Sequence, residues 1–392
     1  MLFLELPLDI LKIVISLTVT ELGLNQSMKA RLTCRVFAKE ILEAVIETRV
    51  IEEVASRSHR LLRIEHHHDV TARYLDHRVR TDGSVTHPWI ATIRETCRLL
   101  AQYTNSEHDV ARVELYRRNA CLCLALNAGR DVYDILVKEC TDRKKEFEGS
   151  DNSRANCLTI AAWMGDGSLV ESLTKGMDRD PLSFFGRASW AAAAQGHADL
   201  LQLFLHQGAL PYNPDFVQGP RFELSKSPLA VAAYMGHENI IRLYIQHYCP
   251  EIQQEEFTGI NYAAKGNQPT TLHLLLEHHK RTSTVQEYQK TIDVALIRSS
   301  GRGAPDSLRI LLDHGVDVNA SLDFPLSCLQ YAAIAGDTQT VKLLLDAGAS
   351  LEPMVWNGRT RPSALKEASR RDNHALTKLI SDKHQELSAG GS

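Results

Sequence analysis

The 392-residue sequence has no surplus of positive charge: 44 lysines and arginines stand against 48 acidic residues, a net charge of −4. A protein that coats a phosphate backbone carries a basic footprint, so no nucleic-acid partner is expected. None of the eight cysteines falls in a C-x-x-C pair. Scattered through apolar helical contexts, they read as small hydrophobes in a reducing compartment, cytoplasmic and/or nuclear. A membrane span needs about 20 apolar residues with few charges. The most apolar stretch, "MLFLELPLDILKIVISLTV" at the N-terminus, is broken by Glu5, Asp9 and Lys12 and lacks a basic lead, so neither a membrane nor a secretory segment is expected. No G-x-S-x-G, H-E-x-x-H, Walker A or Rossmann fingerprint occurs in a supporting context. The expectation is a protein that is not an enzyme, with no catalytic residue, no cofactor and no metal. His66, His67 and His68 are adjacent and would project about 100° apart on a helix, so they do not converge on one ion. Cys121 and Cys123 sit on different faces of one predicted helix. "GRG" at Gly301–Gly303 follows no strand and reads as a loop insertion rather than a phosphate cradle.

What the chain has is repetition. "SLRILLDHGVDVNA" (Ser307–Ala320) returns as "TVKLLLDAGASLEP" (Thr340–Pro353). "SPLAVAAYMGHENIIRLYIQHY" (Ser227–Tyr248) aligns with "SCLQYAAIAGDTQTVKLLLDAGA" (Ser327–Ala349), "NCLTIAAWMGDGSLVESLTKGM" (Asn156–Met177) and "ASWAAAAQGHADLLQLFLHQGA" (Ala188–Ala209). Each copy reads as a short helix ending in A-A-x-x-G, a turn, and a second amphipathic helix. The alanine pair lets helices approach closely. The glycine tolerates positive φ in the turn. The second helix carries aliphatic residues at helical spacing: Val341, Leu344 and Leu345 in one copy, Leu308, Leu311 and Leu312 in another. One such pair cannot bury its apolar faces alone, whereas stacked pairs can.

These residues resemble the ankyrin repeat, whose consensus includes T-P-L-H-x-A; "SPLAVAA" (Ser227–Ala233) is the nearest match, and "HGVDVNA" and "AGASLEP" look like its finger loop. About eight units, some degenerate, are expected between residues 118 and 386, roughly two-thirds of the chain. "CLCLALNAGRDVYDILVKEC" (Cys121–Cys140) opens the array, "FTGINYAAKGNQPTTLHLLLEHHK" (Phe257–Lys280) is a weak copy, and "IDVALIRSSGRGAPDSLRILLDHG" (Ile292–Gly315) carries an enlarged turn. "SALKEASRRDNHALTKLISDKH" (Ser363–His384) is polar, as a terminal cap should be. Residues 387–392 are expected to form a disordered tail.

The N-terminus carries a different signal. "LELPLDILKIVISL" (Leu4–Leu17) reads as a helix apolar over most of its circumference, with Pro7 in its first turn. A connection, "TVTELGLNQSMK", and a second helix in Lys29–Val54 follow. Leu6-Pro7, the aliphatic helix and "TCR" (Thr33–Arg35) resemble an F-box, and the combination is similar to fungal ankyrin proteins that open with such a unit. The resemblance implies that Leu6, Pro7, Ile10, Leu11 and Val14 dock the adaptor subunit of a cullin-type ubiquitin ligase; packing of this unit against its own chain is the alternative. Fold class and organisation follow: an all-α, ankyrin-repeat solenoid with short finger loops, preceded by a small helical F-box-like unit at 1–54 and a helical connector at 55–117. Within the connector, "THPWI" starts a helix at Pro88.

A solenoid offers an extended surface to a protein partner. By the ankyrin resemblance, the groove candidates are Trp163, Met164, Gln195, Tyr234 and Met235 from the variable positions, with Trp190, Tyr212, Phe222 and Trp356 in or beside loops. The segment "LPYNPDFVQGPRFELSK" (Leu210–Lys226) reads as an enlarged finger. The function expected is a protein–protein interaction module that recognises substrates for a ubiquitin ligase. The alternatives are a scaffold or regulator with no ligase link, or an enzyme with its active site in the groove.

Overall fold

A computed structural model of the chain describes residues 8–30, 35–49, 52, 67–83, 87–128, 132, 136, 152–177, 180–209, 227–247, 253–320, 324–371 and 373–390. The chain divides into two compact units, Met1–Ala191 and Ala192–Ser392.

The described part of the first unit opens on two helices packed together, α1 (Leu8–Ala30) and α2 (Arg35–Glu47). The expected connection over 18–29 is not a loop: α1 runs unbroken to Ala30. Then come α3 (His67–Thr81), α4 (Pro88–Tyr103), α5 (Val110–Ala128), α6 (Ser153–Met164) and α7 (Gly167–Thr174). α3 lies against both α2 and α5, and α4 packs on α5 and α6. The helix expected at "THPWI" starts where proline allows: Pro88 is at the first turn, and the Trp89 amide donates to the ring Nδ1 of His87 at 3.2 Å. The boundary expected at 117/118 falls inside α5, whose buried face begins before it, at Tyr116, and continues through Ala120, Cys121 and Leu124.

An ion network ties α3 to the segment after α2. Asp82 accepts from Arg78 at 2.7 Å and from Arg49 at 2.6 Å, while Arg78 also reaches Glu52 and the Tyr74 hydroxyl. Burial pushes the Asp82 carboxyl up, but the two guanidiniums outweigh it and hold it below the usual carboxylate range.

In the second unit the helices alternate in two rows. α8 (Ala188–Ala194) straddles the division between the units. The first-helix row contains α10 (Pro228–Met235), α12 (Gln253–Lys265), α14 (Val285–Arg302), α16 (Cys328–Ala335) and α18 (Ala364–Ser369), each packed on the next. The second-helix row contains α9 (Ala198–His206), α11 (Glu238–His247), α13 (Pro269–Thr282), α15 (Pro305–Asp313), α17 (Thr338–Asp346) and α19 (His374–Gly390), stacked in the same order. The result is the all-α repeat solenoid that the sequence pattern calls for. α19 runs past residue 386 to Gly390, so the expected tail begins as helix.

The local reasons recur from repeat to repeat. Ser227, Thr284, Ser327 and Ser363 cap the first helices through their hydroxyls. At the turn, the amide of the residue after the left-handed position donates five residues back: His237 to Ala232, Gln268 to Ala263, Ala304 to Ser299, at 2.9–3.0 Å. This is the Schellman closure, and it satisfies carbonyls that a helix end leaves orphaned. In the weak copy Asn267 takes the left-handed position at φ 54° that glycine holds elsewhere. The turn of "SSGRGAP" is not enlarged. Gly301 and Arg302 are helical, Gly303 is the turn residue at φ 68°, and α15 starts at Pro305. A Cβ at Gly303 would stand 2.7 Å from the Cβ of Asp337 in the next repeat, so backbone and close approach both demand glycine.

Each repeat also closes its neighbour's polar groups. His237 Nε2 lies 2.9 Å from the Ala194 carbonyl, Asn239 donates to the Gly196 carbonyl, and Asn267 accepts from the amides of Asp306 and Ser307. The finger after α17 is a two-strand hairpin, β1 (Val355–Trp356) and β2 (Arg359–Thr360), turned by Asn357-Gly358 with both φ positive, the pairing type I′ turns favour.

Burial separates the periodic leucines. Leu308 and Leu311 are fully buried and Leu312 is half-buried. Leu311→Ala should cost about 2–5 kcal/mol and Leu312→Ala clearly less; urea unfolding of the two variants checks the order. Asp82, held low in the folded chain, contributes stability above about pH 4 that is lost as the pH falls through its lower folded value. Asp82→Asn should lower stability at neutral pH and flatten the acid dependence of unfolding followed by circular dichroism.

Candidate functional site

A cleft that gathers aromatic and polar side chains lies on the first-helix row of the second unit, between α12 and α14. It encloses about 180 Å³ and is lined by Phe257, Asn261, Tyr262 and Lys265 from α12, Val294 and Arg298 from α14, and Phe324 from the segment before α16. Helical spacing explains the α12 contribution: residues 257, 261 and 265 share one face at i, i+4 and i+8. Tyr262 and Arg298 occupy the same place in their repeats, the one Val231 and Tyr331 fill elsewhere, so they stand side by side along the row.

The walls are aromatic and the rim is cationic. Lys265 Nζ is 5.3 Å from the Tyr262 ring centre and the Arg298 guanidinium is 5.9 Å from that of Phe324, distances at which a cation is drawn to a π face. Tyr262 meets Tyr234 edge to face, with ring centres 6.4 Å apart, which joins Tyr234 and the exposed Met235 to the same neighbourhood. The floor holds an unsatisfied group. Asn261 is 8% exposed; its amide nitrogen donates to the Phe257 carbonyl at 2.7 Å, and its oxygen has no partner. A buried amide oxygen without a donor costs about 1–3 kcal/mol. At the equivalent place in the next-but-one repeat, Gln330 accepts from the Ser327 amide and donates to the Pro362 carbonyl. A ligand N–H in the cleft would complete Asn261 as those bonds complete Gln330.

The sequence-predicted site residues divide. Tyr234 is half-buried beside the cleft and Met235 is exposed. Met164 and Gln195 are half-buried, and Trp356 is half-buried on the β1–β2 hairpin. Trp163 and Trp190 are core residues, not groove residues: 5% and 1% exposed, ring centres 6.2 Å apart, with Trp163 Nε1 donating to Asn119. Tyr212, Phe222 and the rest of Leu210–Lys226 lie outside the described residues, as do Leu6, Pro7 and the side chains of Thr33–Arg35. Of the adaptor-docking candidates, Leu11 is buried on α1 at 3%, Val14 is half-buried, and Ile10 is exposed. Leu11, Ile15 and Val19 form the inward stripe; Ile10, Ile13 and Leu17 form an outward one, 48–63% exposed.

The sequence reading passed over Asn261, Tyr262, Lys265 and Arg298. A signal was present. The weak copy writes "INYAAKGN" where the strong copy writes "LAVAAYMG", putting Asn at a place that the alanine pattern marks as buried.

Among the described residues, thiol chemistry is suppressed by burial. Burial pushes Cys97, Cys157 and Cys328 up to about 12, so each is a neutral thiol near pH 7 and a poor nucleophile. Among the described residues no helix is long and apolar enough to cross a membrane.

Stacked helix pairs joined by Schellman turns, with a cleft on one row, define a repeat protein of the recognition kind. Residues 189–286 match the family described as ankyrin repeats (3 copies), and residues 292–379 the one described as ankyrin repeats (many copies). The chain carries ankyrin repeats, which mark a protein–protein interaction module of typically non-catalytic architecture. It is 26% identical over 258 residues to the ankyrin repeat domain-containing protein SAT10 of Stachybotrys chartarum, covering 64% of this chain and 13% of that protein. It is 27% identical over 128 residues to the transient receptor potential cation channel subfamily A member 1 homolog of Caenorhabditis elegans, covering 32% of this chain and 10% of that one. Both matched stretches are thus small parts of much longer proteins. The solved ankyrin repeat domain of human ASB11 aligns over 58% of this chain and 96% of its own, with 19% identity and a TM-score of 0.44.

Trp190→Ala should lower stability by about 3–5 kcal/mol, read as a fall in thermal midpoint; an unchanged midpoint would return Trp190 to the surface.

Proposed function

We propose that the chain is a non-catalytic recognition protein whose first-helix row holds a segment of a protein partner, with the α12–α14 cleft as its anchor point. The observation that carries this is the unsatisfied Asn261 oxygen, buried in the lining of an aromatic cleft. A peptide offers both complements at once: a backbone or amide N–H for Asn261, and an apolar or aromatic anchor for Phe257, Tyr262 and Phe324. Aromatic pockets with few polar groups are where interface energy concentrates. No cofactor is needed. The buried cysteines described as free thiols (Cys97, Cys121, Cys123, Cys157 and Cys328) suit a reducing compartment, cytoplasmic or nuclear.

Peptides selected from a displayed random library on the full chain test the reading. Sequences with an apolar or aromatic anchor should be enriched, and Asn261→Ala with Phe324→Ala should weaken the selected peptides about tenfold or more, a hydrogen bond to a buried polar group being worth about 1–3 kcal/mol. Enrichment indifferent to both substitutions sinks the assignment of this cleft.

A second reading rests on α1. Its outward stripe of Ile10, Ile13 and Leu17 is apolar and exposed, and the F-box resemblance supplies a partner: the adaptor subunit of a cullin-type ubiquitin ligase. In that reading the array presents its bound partner to the ligase by raising effective concentration. The docking face is then the outward stripe, not Leu11. Co-purification of the adaptor with the full chain, abolished by Ile10→Asp with Ile13→Asp, is the expected result; a chain that never retains the adaptor is a scaffold or regulator without a ligase link.

A further inference from the structure

Away from the cleft, on the second-helix row, the described residues contain one cluster able to hold a metal ion: His273, Glu277 and His314. His273 and Glu277 stand one turn apart on α13, at i and i+4, and so share a helix face. His314 is the C-terminal cap of α15, in the next repeat, and α13 and α15 are direct neighbours. One ligating atom of each residue lies within 4.8 Å of the other two, and the two imidazole centres are 5.7 Å apart.

The donor set selects the ion. Two imidazoles and a carboxylate are ligands zinc takes, whereas calcium and magnesium call for oxygen throughout. Zinc bound at about 2.0–2.2 Å brings its ligand atoms to roughly 3.4 Å from one another, so the cluster closes by about 1 Å. Side chains that are exposed or half-buried make that adjustment by χ rotation. A further group orients one ligand: the Tyr288 hydroxyl, from the first turn of α14, lies 2.7 Å from His314 Nδ1. With Nδ1 held by that bond, Nε2 would be the nitrogen left to ligate an ion, the arrangement that outer partners of metal-bound imidazoles favour. The competing contact is weak. Arg281 reaches Glu277 at 3.7 Å on a side chain 76% exposed, and exposed pairs contribute about 0–1 kcal/mol.

We propose that His273, Glu277 and His314 form a zinc site that clips the second helices of two adjacent repeats, its fourth position open to water or to a donor from a partner. Each repeat of a linear array is held only by its neighbours, so the clip strengthens one interface of the stack.

Zinc titrated into the full chain after chelator treatment, followed by calorimetry and thermal unfolding, tests the site. The expected result is a saturable one-to-one component and a rise in unfolding midpoint that calcium and magnesium do not reproduce. His273→Ala and His314→Ala should each remove that component, and Tyr288→Phe should weaken it about tenfold, with the circular dichroism of the metal-free variants unchanged. If His314→Ala fails to fold, the near-isosteric Glu277→Gln must show the same loss. Zinc binding that survives His273→Ala and Glu277→Gln together belongs to other histidines, such as His66–His68, and overturns the proposal. So does a midpoint that zinc leaves where it was.

Discussion

The second unit depends on how closely its first helices approach one another. Leu229, Ala230, Val231, Ala232 and Ala233 are wholly buried, as are Ala263, Ala264, Ala332 and Ala333 in neighbouring repeats. The alanines leave no side chain to hold the backbones apart. At Gly266 a Cβ would stand 2.3 Å from the Tyr234 carbonyl oxygen of the preceding repeat. At such distances a repeat has no core of its own: its apolar faces and its helix-end carbonyls are completed by the next copy. His237 on Ala194, Asn267 on Asp306 and Ser307, and Asn373 on Gly336 are the polar half of that arrangement. Stability therefore accrues repeat by repeat, through interfaces rather than through one centre.

The cleft arises where that packing rule is relaxed. In α12 the places of Ala230, Val231 and Tyr234 carry Asn261, Tyr262 and Lys265; in α14 the same row carries Arg298. Gln330, at the Asn261 place in α16, has both ends of its amide bonded, whereas the Asn261 oxygen has no donor. The substitution of a buried asparagine, left with one oxygen unpaired, runs against local stability, and such departures collect where a chain binds something. The weak likeness of Phe257–Lys280 to the other copies and the presence of the cleft have the same origin.

The first unit follows a different logic. Its helices are longer, its contacts include the Arg49–Asp82–Arg78–Glu52 network, and two indoles, Trp163 and Trp190, stack in its core. α1 buries one aliphatic stripe and leaves another outward. A helix apolar on two sides reads from sequence as deeply buried; among the described side chains of α1, Leu11, Ile15 and Val19 are buried, and Ile10, Ile13 and Leu17 form an exposed stripe.

Helix-pair periodicity, turn glycines and the alanine pairs were legible residue by residue, because each is set by contacts close along the chain. They sufficed for the fold class and for the pairing of helices, and proline's preference for the first turn placed Pro88 at a helix start. The extra residues of "SSGRG" were not legible as helix, since nothing local distinguishes a long turn from a longer helix once Gly303 takes the bend. The burial of Trp163 and Trp190 was equally hidden, because an indole at a variable position fits a surface or a core and only its neighbours decide. Asn261's missing donor, the gathering of Lys265 and Arg298 at one cleft, and the approach of His314 to His273 and Glu277 belong to the tertiary structure alone. They join residues from different repeats, and sequence spacing carries no measure of the distance between stacked helices.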